Sequence, residues 1–466
     1  VTPVTEAHDR LADFNPANGQ YLIAGQGASA SAGIQMDMTA LEPRIGVAWK
    51  PWGSQRTAIR GGYAIFHDSS WNQGGQGLWQ NPPYYAESDG SAFTGETPST
   101  GFPIITSPPS YATFPGTLIA QNLNFKQGRV QQFNINIEHQ FGGILLTAGY
   151  AGSRSSHILV DGNNLDVGSP SACGGVVPGY TLGCGPGGAS FGLPYPNIVS
   201  TYVENQTDTG QAHYNSLQIK AETKSKGGLY ALLGYTYSRT YDNGMTDGVG
   251  TPLGAMYYPL PGWQNLDWGL SQINLNNSFI GSVIYELPFG KGKHWGSSWS
   301  GPVNAVLGNW ELDAIEKVTS GFPVFIIDSD NSSGVNFEND GNSFMRPNQV
   351  CNPTLSNPTL SEWFNTSCFA APPAGEIGNA KRAPVSGPDF VNTDMSLIKH
   401  FVLPWREGLR LDFRAECFNL FNHPQFGLPV QAATGYADFN APATFGVISS
   451  TVNNPRLLQL ALKIAF

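Results

Sequence analysis

Along this chain apolar and polar residues exchange places at every second position, in one stretch after another. From Leu409 to Cys417, one face would carry Leu409, Leu411, Phe413, Ala415 and Cys417, the other Arg410, Asp412, Arg414 and Glu416. At the C-terminus Leu458, Leu460, Leu462, Ile464 and Phe466 alternate with Gln459, Ala461, Lys463 and Ala465. Phe133, Ile135 and Ile137 interleave with Gln132, Asn134, Asn136 and Glu138, and Leu217, Ile219 and Ala221 with Gln218, Lys220 and Glu222. A period of two marks β-strands that meet an apolar medium on one face and water or polar groups on the other. The template predicts eleven strands, near 43–50, 56–66, 130–140, 144–153, 213–224, 228–240, 273–287, 309–326, 389–401, 408–421 and 455–466. Most reach or exceed the roughly 9–11 residues that cross a bilayer at a tilt.

Alternation alone does not separate a membrane barrel from a soluble barrel or a sandwich, but the connections do. They run short, long, short, long without a break. The short ones are 51–55, 141–143, 225–227, 288–308 and 402–407; the long ones are 67–129, 154–212, 241–272, 327–388 and 422–454. A soluble antiparallel domain has no reason to gather every long loop at one end, whereas an outer-membrane barrel has short periplasmic turns and long extracellular loops. The expected fold is therefore all-β: an antiparallel transmembrane β-barrel portion over 43–466, behind an extracellular loop lead-in at 1–42. Trp49, Trp52, Trp310 and Trp405, with Phe141, Tyr235 and Tyr237, fall near predicted strand ends, where rings sit at headgroup level; turn packing is the alternative. Eleven is an odd count, and bacterial single-chain barrels have even numbers. Open edges in lipid would leave backbone groups unsatisfied, so further strands upstream, or a partner chain, are expected.

Composition sharpens this picture. Only 12% of the 466 residues are charged, about half the share of an ordinary soluble domain. The 56 Gly, 34 Pro and 12% aromatics argue against helical bundles and coiled coils. A net charge of −10 excludes a nucleic-acid partner built on clustered basic residues. No run reaches the ~18 apolar residues of a membrane helix. The chain opens Val1-Thr2-Pro3 with no signal-peptide pattern, so a leader was removed or this is a piece of a longer chain. Cys173 with Cys184, and Cys351 with Cys368, lie in Gly/Pro/Ser-rich segments and read as loop disulfides of an oxidising compartment, with free thiols the alternative. Cys417, inside a strand, reads as a small apolar residue.

Several longer stretches, in order along the chain, form a distinctive set. They include Glu42-Pro43-Arg44-Ile45-Gly46-Val47-Ala48-Trp49, Ile59-Arg60-Gly61-Gly62-Tyr63-Ala64-Ile65-Phe66, Ala148-Gly149-Tyr150-Ala151-Gly152-Ser153-Arg154 and Tyr214-Asn215-Ser216-Leu217-Gln218. Tyr285-Glu286-Leu287-Pro288-Phe289-Gly290-Lys291-Gly292-Lys293 and Trp363-Phe364-Asn365-Thr366 follow. The most specific is Phe413-Arg414-Ala415-Glu416-Cys417-Phe418-Asn419-Leu420-Phe421-Asn422-His423, ahead of a terminal strand ending in Phe466. Together these stretches resemble the C-terminal half of the Oar-like TonB-dependent receptors, an Acidobacteria-type family with a carboxypeptidase-regulatory-like module; the resemblance implies a 22-stranded barrel around a globular plug, with an N-terminal Ig-like module and a segment that contacts the TonB system. Eleven strands would be its second half; plug, TonB-contacting segment and first barrel half have no counterpart in these residues. Phe466 matches the aromatic end by which such barrels are handed to the barrel assembly machinery.

No catalytic constellation emerges. The eight His residues are scattered, without His-Glu-x-x-His or Cys-x-x-Cys spacing. Arg410, Asp412, Arg414 and Glu416 read as a lumenal charged ladder of structural or plug-contacting role. The acidic, Asn-rich stretch 328–340 reads as a solvated extracellular loop, with a hard-oxygen calcium site the alternative. Aromatic, Gly- and Asn-rich loops such as 71–85 and 258–268 could stack on a sugar- or peptide-like ligand, or pack on one another as a lid. The expectation is part of a receptor in the bacterial outer membrane that imports a bulky substrate, not an enzyme and without a cofactor. Its expected partners are outer-membrane lipid and lipopolysaccharide, the TonB system, the barrel assembly machinery and an extracellular ligand. A surface or adhesion protein built on a barrel, or a passive pore, are the alternatives.

Overall fold

Each of the eleven alternating segments forms a strand, and the strands pair in chain order. In a computed structural model that describes residues 5–35, 37–68, 78–85, 116–165, 203–243, 267–330, 346–373, 378–403, 409–432 and 435–466, they are β1 (Arg44–Trp49), β2 (Thr57–His67), β3 (Arg129–Phe141), β4 (Ile144–Asn164), β5 (Val203–Lys226), β6 (Leu229–Asp242), β7 (Asn277–Glu286), β8 (Trp310–Thr319), β9 (Phe390–Val402), β10 (Arg410–Phe418) and β11 (Leu457–Ala465). Every neighbouring pair is antiparallel, and β1 and β11 each have a neighbour on one side only among the described residues. Two short strands join off this path: Gly269–Leu270 antiparallel to β6, and Leu118–Gln121 parallel to β5.

The pairing register turns sequence alternation into two chemically distinct faces. Across eight strands Ile59, Ile137, Ala148, Ile219, Tyr235, Phe279, Val318 and Val391 lie opposite one another in an unbroken apolar row. One position along, the other face reads Arg60, Asn136, Gly149, Gln218, Thr236, Ser278 and Thr319 before reaching Phe390. At the far edge Leu411, Phe413, Ala415 and Cys417 stand opposite Ile464, Leu462, Leu460 and Leu458. The apolar face is uncovered: Val47 is 62%, Ile135 52% and Leu462 70% exposed. Water would make so large an apolar surface an aggregation site; lipid makes it the stable arrangement.

Each face has exceptions. On the apolar face, Thr393 donates to Glu316, and Lys399 folds back over Trp310 and Phe401 to donate to the Gly308 carbonyl, keeping its ammonium at the turn end of the sheet. On the polar face Tyr230, Leu232, Ile280, Ile284 and Ile315 form an exposed apolar patch.

Some predicted boundaries need correction. β4 runs to Asn164 and β5 begins at Val203, so the two ends of the predicted 154–212 loop are a strand ribbon. Its polar residues do not alternate, but its backbone still pairs, through irregularities after Ser155, Ile158 and Val160. β8 ends at Thr319 rather than 326, because Gly321 has room for no Cβ against the Gly387 carbonyl and the chain beyond leaves the sheet to pair Pro323–Val324 with Val385–Ser386. The connection 288–308 holds a short helix, Gly301–Leu307. The lead-in 1–42 contains a hairpin, Ala12–Asn15 with Gln20–Ile23, whose Phe14 is buried with Leu118, Ala120 and Val203.

The two last long connections merge into one packed body. Ile326–Ile327 pairs in parallel with Ala437–Asp438, and Val324, Ile326, Phe364, Phe369, Val385, Ala437 and Phe445 share a core. Phe445 meets the edges of Phe364 and Phe369 at ring distances of 5.1 and 5.7 Å. Cys351 and Cys368 are joined by a disulfide within it.

Candidate functional site

Two places on this scaffold gather functional groups: the polar face at β8–β11, and the loop end above β6. On the polar face the strand period aligns all four charges of β10. Arg410 Nε lies 3.2 Å from Asp412, and Arg414 lies 3.2 Å from Glu416. His400, across the ladder on β9, places Nδ1 2.7 Å from Asp412 and Nε2 3.7 Å from Glu311. Lys463 of β11 pairs in register with Asp412. The result, among the described residues, is an alternating-sign surface with no open nucleophile–base pair, suited to holding a polar neighbour in register. Cys417 is a free thiol in the apolar row of the same strand.

The Asn-rich end of the most specific motif is a chain reversal that sequence reasoning left unexplained. Asn419 and Asn422 take left-handed backbone angles, φ 51° and 52°, which Asn tolerates better than most residues. The Asn419 amide nitrogen side chain donates to the His423 and Asn454 carbonyls, and Asn422 Oδ1 accepts from the Arg456 N–H. Both ends of the last long loop are thus tied together where it leaves the sheet. Buried Gln425 stands in for a strand neighbour, its side chain accepting from and donating to Val391's backbone. In the earlier motif Ala148–Arg154, Gly149 leaves room for Asn136 and Gly152 for the Phe133 ring, since a Cβ at either would collide.

Above β6, a cavity of about 690 Å³ is lined by Arg239, Tyr241, Trp268, Arg346, Lys381 and Arg382 among others. Two of its cations are structural. Arg382, buried, donates to the Asp242 carboxylate and carbonyl, and Arg346 donates to Asp267. Arg382 also stacks over Phe325, which lies parallel to Tyr436; burial raises the Tyr436 hydroxyl above its usual pKa, and the Arg382 charge partly offsets this. The other two cations differ. Arg239 meets only the Tyr237 ring and hydroxyl, Lys381 is exposed, and neither has a carboxylate partner among the described residues. Trp268 stacks on Tyr241, at 6.4 Å, and meets the His213 ring edge-on at 4.8 Å.

Of the other expected groups, Asp328 of the acidic stretch 328–340 is buried and accepts from Asn440, while Ser329 donates to Asp438. Its start is therefore part of the packed body, which corrects the solvated-loop reading there; 331–340 lie outside the described residues, as do Cys173, Cys184 and Trp405. Among the described residues no cluster of three His, Cys, Asp or Glu side chains could hold a metal ion. Trp49, Trp52 and Phe141 are exposed at the turn end. Phe466 follows directly on β11 and is 88% exposed. Asp13, in the buried hairpin, was not anticipated. One oxygen accepts from the Gln121 N–H, the other has no partner, and burial pushes its pKa up to about 8.

A family model described as an outer membrane beta barrel domain matches residues 1–459. No curated protein matches the sequence. Similar solved structures include the outer membrane transporter YddB from Escherichia coli, 8% identical over 90% of this chain and 40% of that one, TM-score 0.45. The ferric-catecholate import receptor Fiu from K12 E. coli is 10% identical over 91% and 34%, TM-score 0.40. The FrpB iron transporter from Neisseria meningitidis is 11% identical over 90% and 38%, TM-score 0.39. The chain thus spans about 40% or less of the length of these proteins.

Proposed function

Because this chain belongs to the outer membrane beta barrel domain family, and so to the bacterial outer membrane, we propose that it is the C-terminal half of the barrel of an Oar-like TonB-dependent receptor. The observation that carries this is the sheet itself: among the described residues, eleven strands, apolar on one face, with β1 and β11 each paired on one side only. An unpaired strand edge in hydrocarbon costs several kcal/mol per backbone group, so the barrel is completed by strands beyond these eleven. A barrel of twice this number has the even count of the bacterial class.

In the completed barrel the polar face is the lumen, the long connections are extracellular and the short ones periplasmic. The domain division follows: 1–42 leads in at the cell surface and 43–466 is wall and loops. The exposed patch of Tyr230, Leu232, Ile280, Ile284 and Ile315 favours a receptor over a passive pore. A water-filled lumen gains nothing from bare Ile and Leu, whereas a folded plug would cover them, with the ladder Arg410, Asp412, Arg414 and Glu416 as its polar contact. The packed loop body fits recognition of a bulky substrate, an oligosaccharide or peptide, before TonB-driven import, and Phe466 fits delivery by the barrel assembly machinery. A surface adhesin would use the same loops without a plug.

The coding sequence upstream of Val1 tests this. The receptor reading expects a plug, a TonB-contacting segment and about eleven further strands; a signal peptide directly before Val1 would refute it.

A further inference from the structure

The cavity above β6 has a position as well as a chemistry. On β6 the lipid-facing row reads Leu229, Ala231, Leu233, Tyr235, Tyr237, Arg239 and Tyr241, fixed by register against Ile219, Leu217 and Asn215. An apolar band roughly 25 Å tall, crossed at a tilt of about 40° with about 3.4 Å per residue, takes about ten residues. Counted from Leu229 at the short-turn end, the band ends at about Arg239, just past the two Tyr rings that mark an interface. Arg239 and Tyr241 therefore stand at the outer headgroup level, on the side that faces lipid. The cavity they border also takes in Trp268 and the exposed Lys381. Arg346 and Arg382 in its wall are already engaged by Asp267 and Asp242, so among the described residues Arg239 and Lys381 are the lining cations left for a ligand.

Two cations beside stacked aromatic rings, at the level of the outer-leaflet headgroups, suit a phosphate carried on a sugar. We propose that this cavity seats a phosphorylated sugar headgroup of lipopolysaccharide, with Arg239 and Lys381 on the phosphate and Trp268 and Tyr241 against the sugar ring. The assignment rests on the long connections being extracellular, as in the reading above. It makes the lipid a specific partner of the wall rather than only a solvent for it.

The test uses protein extracted from its native membrane into neutral detergent and freed of endogenous lipid. Three probes are titrated and bound lipid is counted by native mass spectrometry: bisphosphorylated lipid A, lipid A stripped of phosphate, and inorganic phosphate. The expected result is one saturable lipid A site, lost with the stripped lipid and weakened about thirty-fold in the R239Q/K381Q double variant. Inorganic phosphate should compete only in large excess. Lys381→Gln alone, at an exposed loop position, keeps the test available should the double variant misfold, with roughly five-fold weakening expected. Unchanged affinity in the folded variants, or equal binding of stripped lipid A, would overturn the proposal. So would a site that takes inorganic phosphate but not lipid A. Since binding needs no energy coupling, lipid A binding by a protein with no upstream plug would keep this inference and sink the receptor reading; the converse result would do the reverse.

Discussion

Ile135 and Asn134 are neighbours in the middle of β3, at nearly the same depth, and they project to opposite faces. Ile135 pairs with Gly61 and Tyr150 in the apolar set and is 52% exposed; Asn134 pairs with Gly62 and Ala151 on the polar side. If the apolar face meets lipid, Ile135→Arg places a guanidinium near the bilayer midplane at a cost of about 2–4 kcal/mol, a roughly 30- to 900-fold loss in the folded-to-unfolded ratio. Asn134→Arg, opposite Gly62 and Ala151 and losing one exposed hydrogen bond from Asn136, should cost under about 1 kcal/mol. The assay is urea unfolding of the protein in lipid vesicles, followed by tryptophan emission, with the two variants compared at equal lipid. Equal costs, or an Ile135→Arg effect within about 0.5 kcal/mol as at an exposed position in water, would refute the assignment of faces.

Asp13 carries a pH signature. Its carboxyl is raised by burial to about 8 against about 4 when unfolded, so the folded hairpin holds a proton that the unfolded one releases. Its stability is highest below about pH 4 and falls with rising pH by at most about 1.4 kcal/mol per unit until about pH 8; hydrogen exchange at Leu118–Gln121 should quicken across that window, and Asp13→Asn should flatten the dependence. Replacing Cys351 and Cys368 by Ser should cost the loop body about 3 kcal/mol, given the separation of 17 residues, read as faster proteolysis of the loop body with unchanged heat-modifiable migration of the barrel. Arg382→Ala removes the guanidinium paired with the buried Asp242 carboxylate and should cost about 3–5 kcal/mol in docking of that body, detected as protease cleavage near residue 382 while the wall stays protected.

All eleven wall strands were legible because each has a lipid side and a polar side, so its residues must alternate. The signal failed where that constraint ends. The upper parts of β4 and β5, past Ser155 and before Ala212, pair through backbone and a His157–Asp208 side-chain contact, and polar residues there carry no period. The loop body was hidden for a different reason. Its core joins Val324 and Ile326 to Phe364, Phe369, Ala437 and Phe445, residues from two connections about a hundred positions apart, and no local pattern announces such a meeting. The ladder of β10 was visible as spacing, but its partner His400 comes from the next strand. The cavity was invisible in sequence because Arg239, Trp268 and Lys381 converge only through the fold, and Gln425 gives no sequence hint that it replaces a strand.

The central claim, that these eleven strands are part of a larger barrel, is tested most directly at the two edges. β1 and β11 run in the same direction, so a barrel closed on this chain alone would set 44–49 beside 457–465 in parallel. Cysteines at Val47 and successively at Leu458, Leu460 and Leu462 can be oxidised in the native membrane, alongside hydrogen exchange of both edge strands. No cross-link between the edges and slow exchange along both are expected, since other strands cover them. A cross-link within one chain, or fast exchange along both edges, would contradict it.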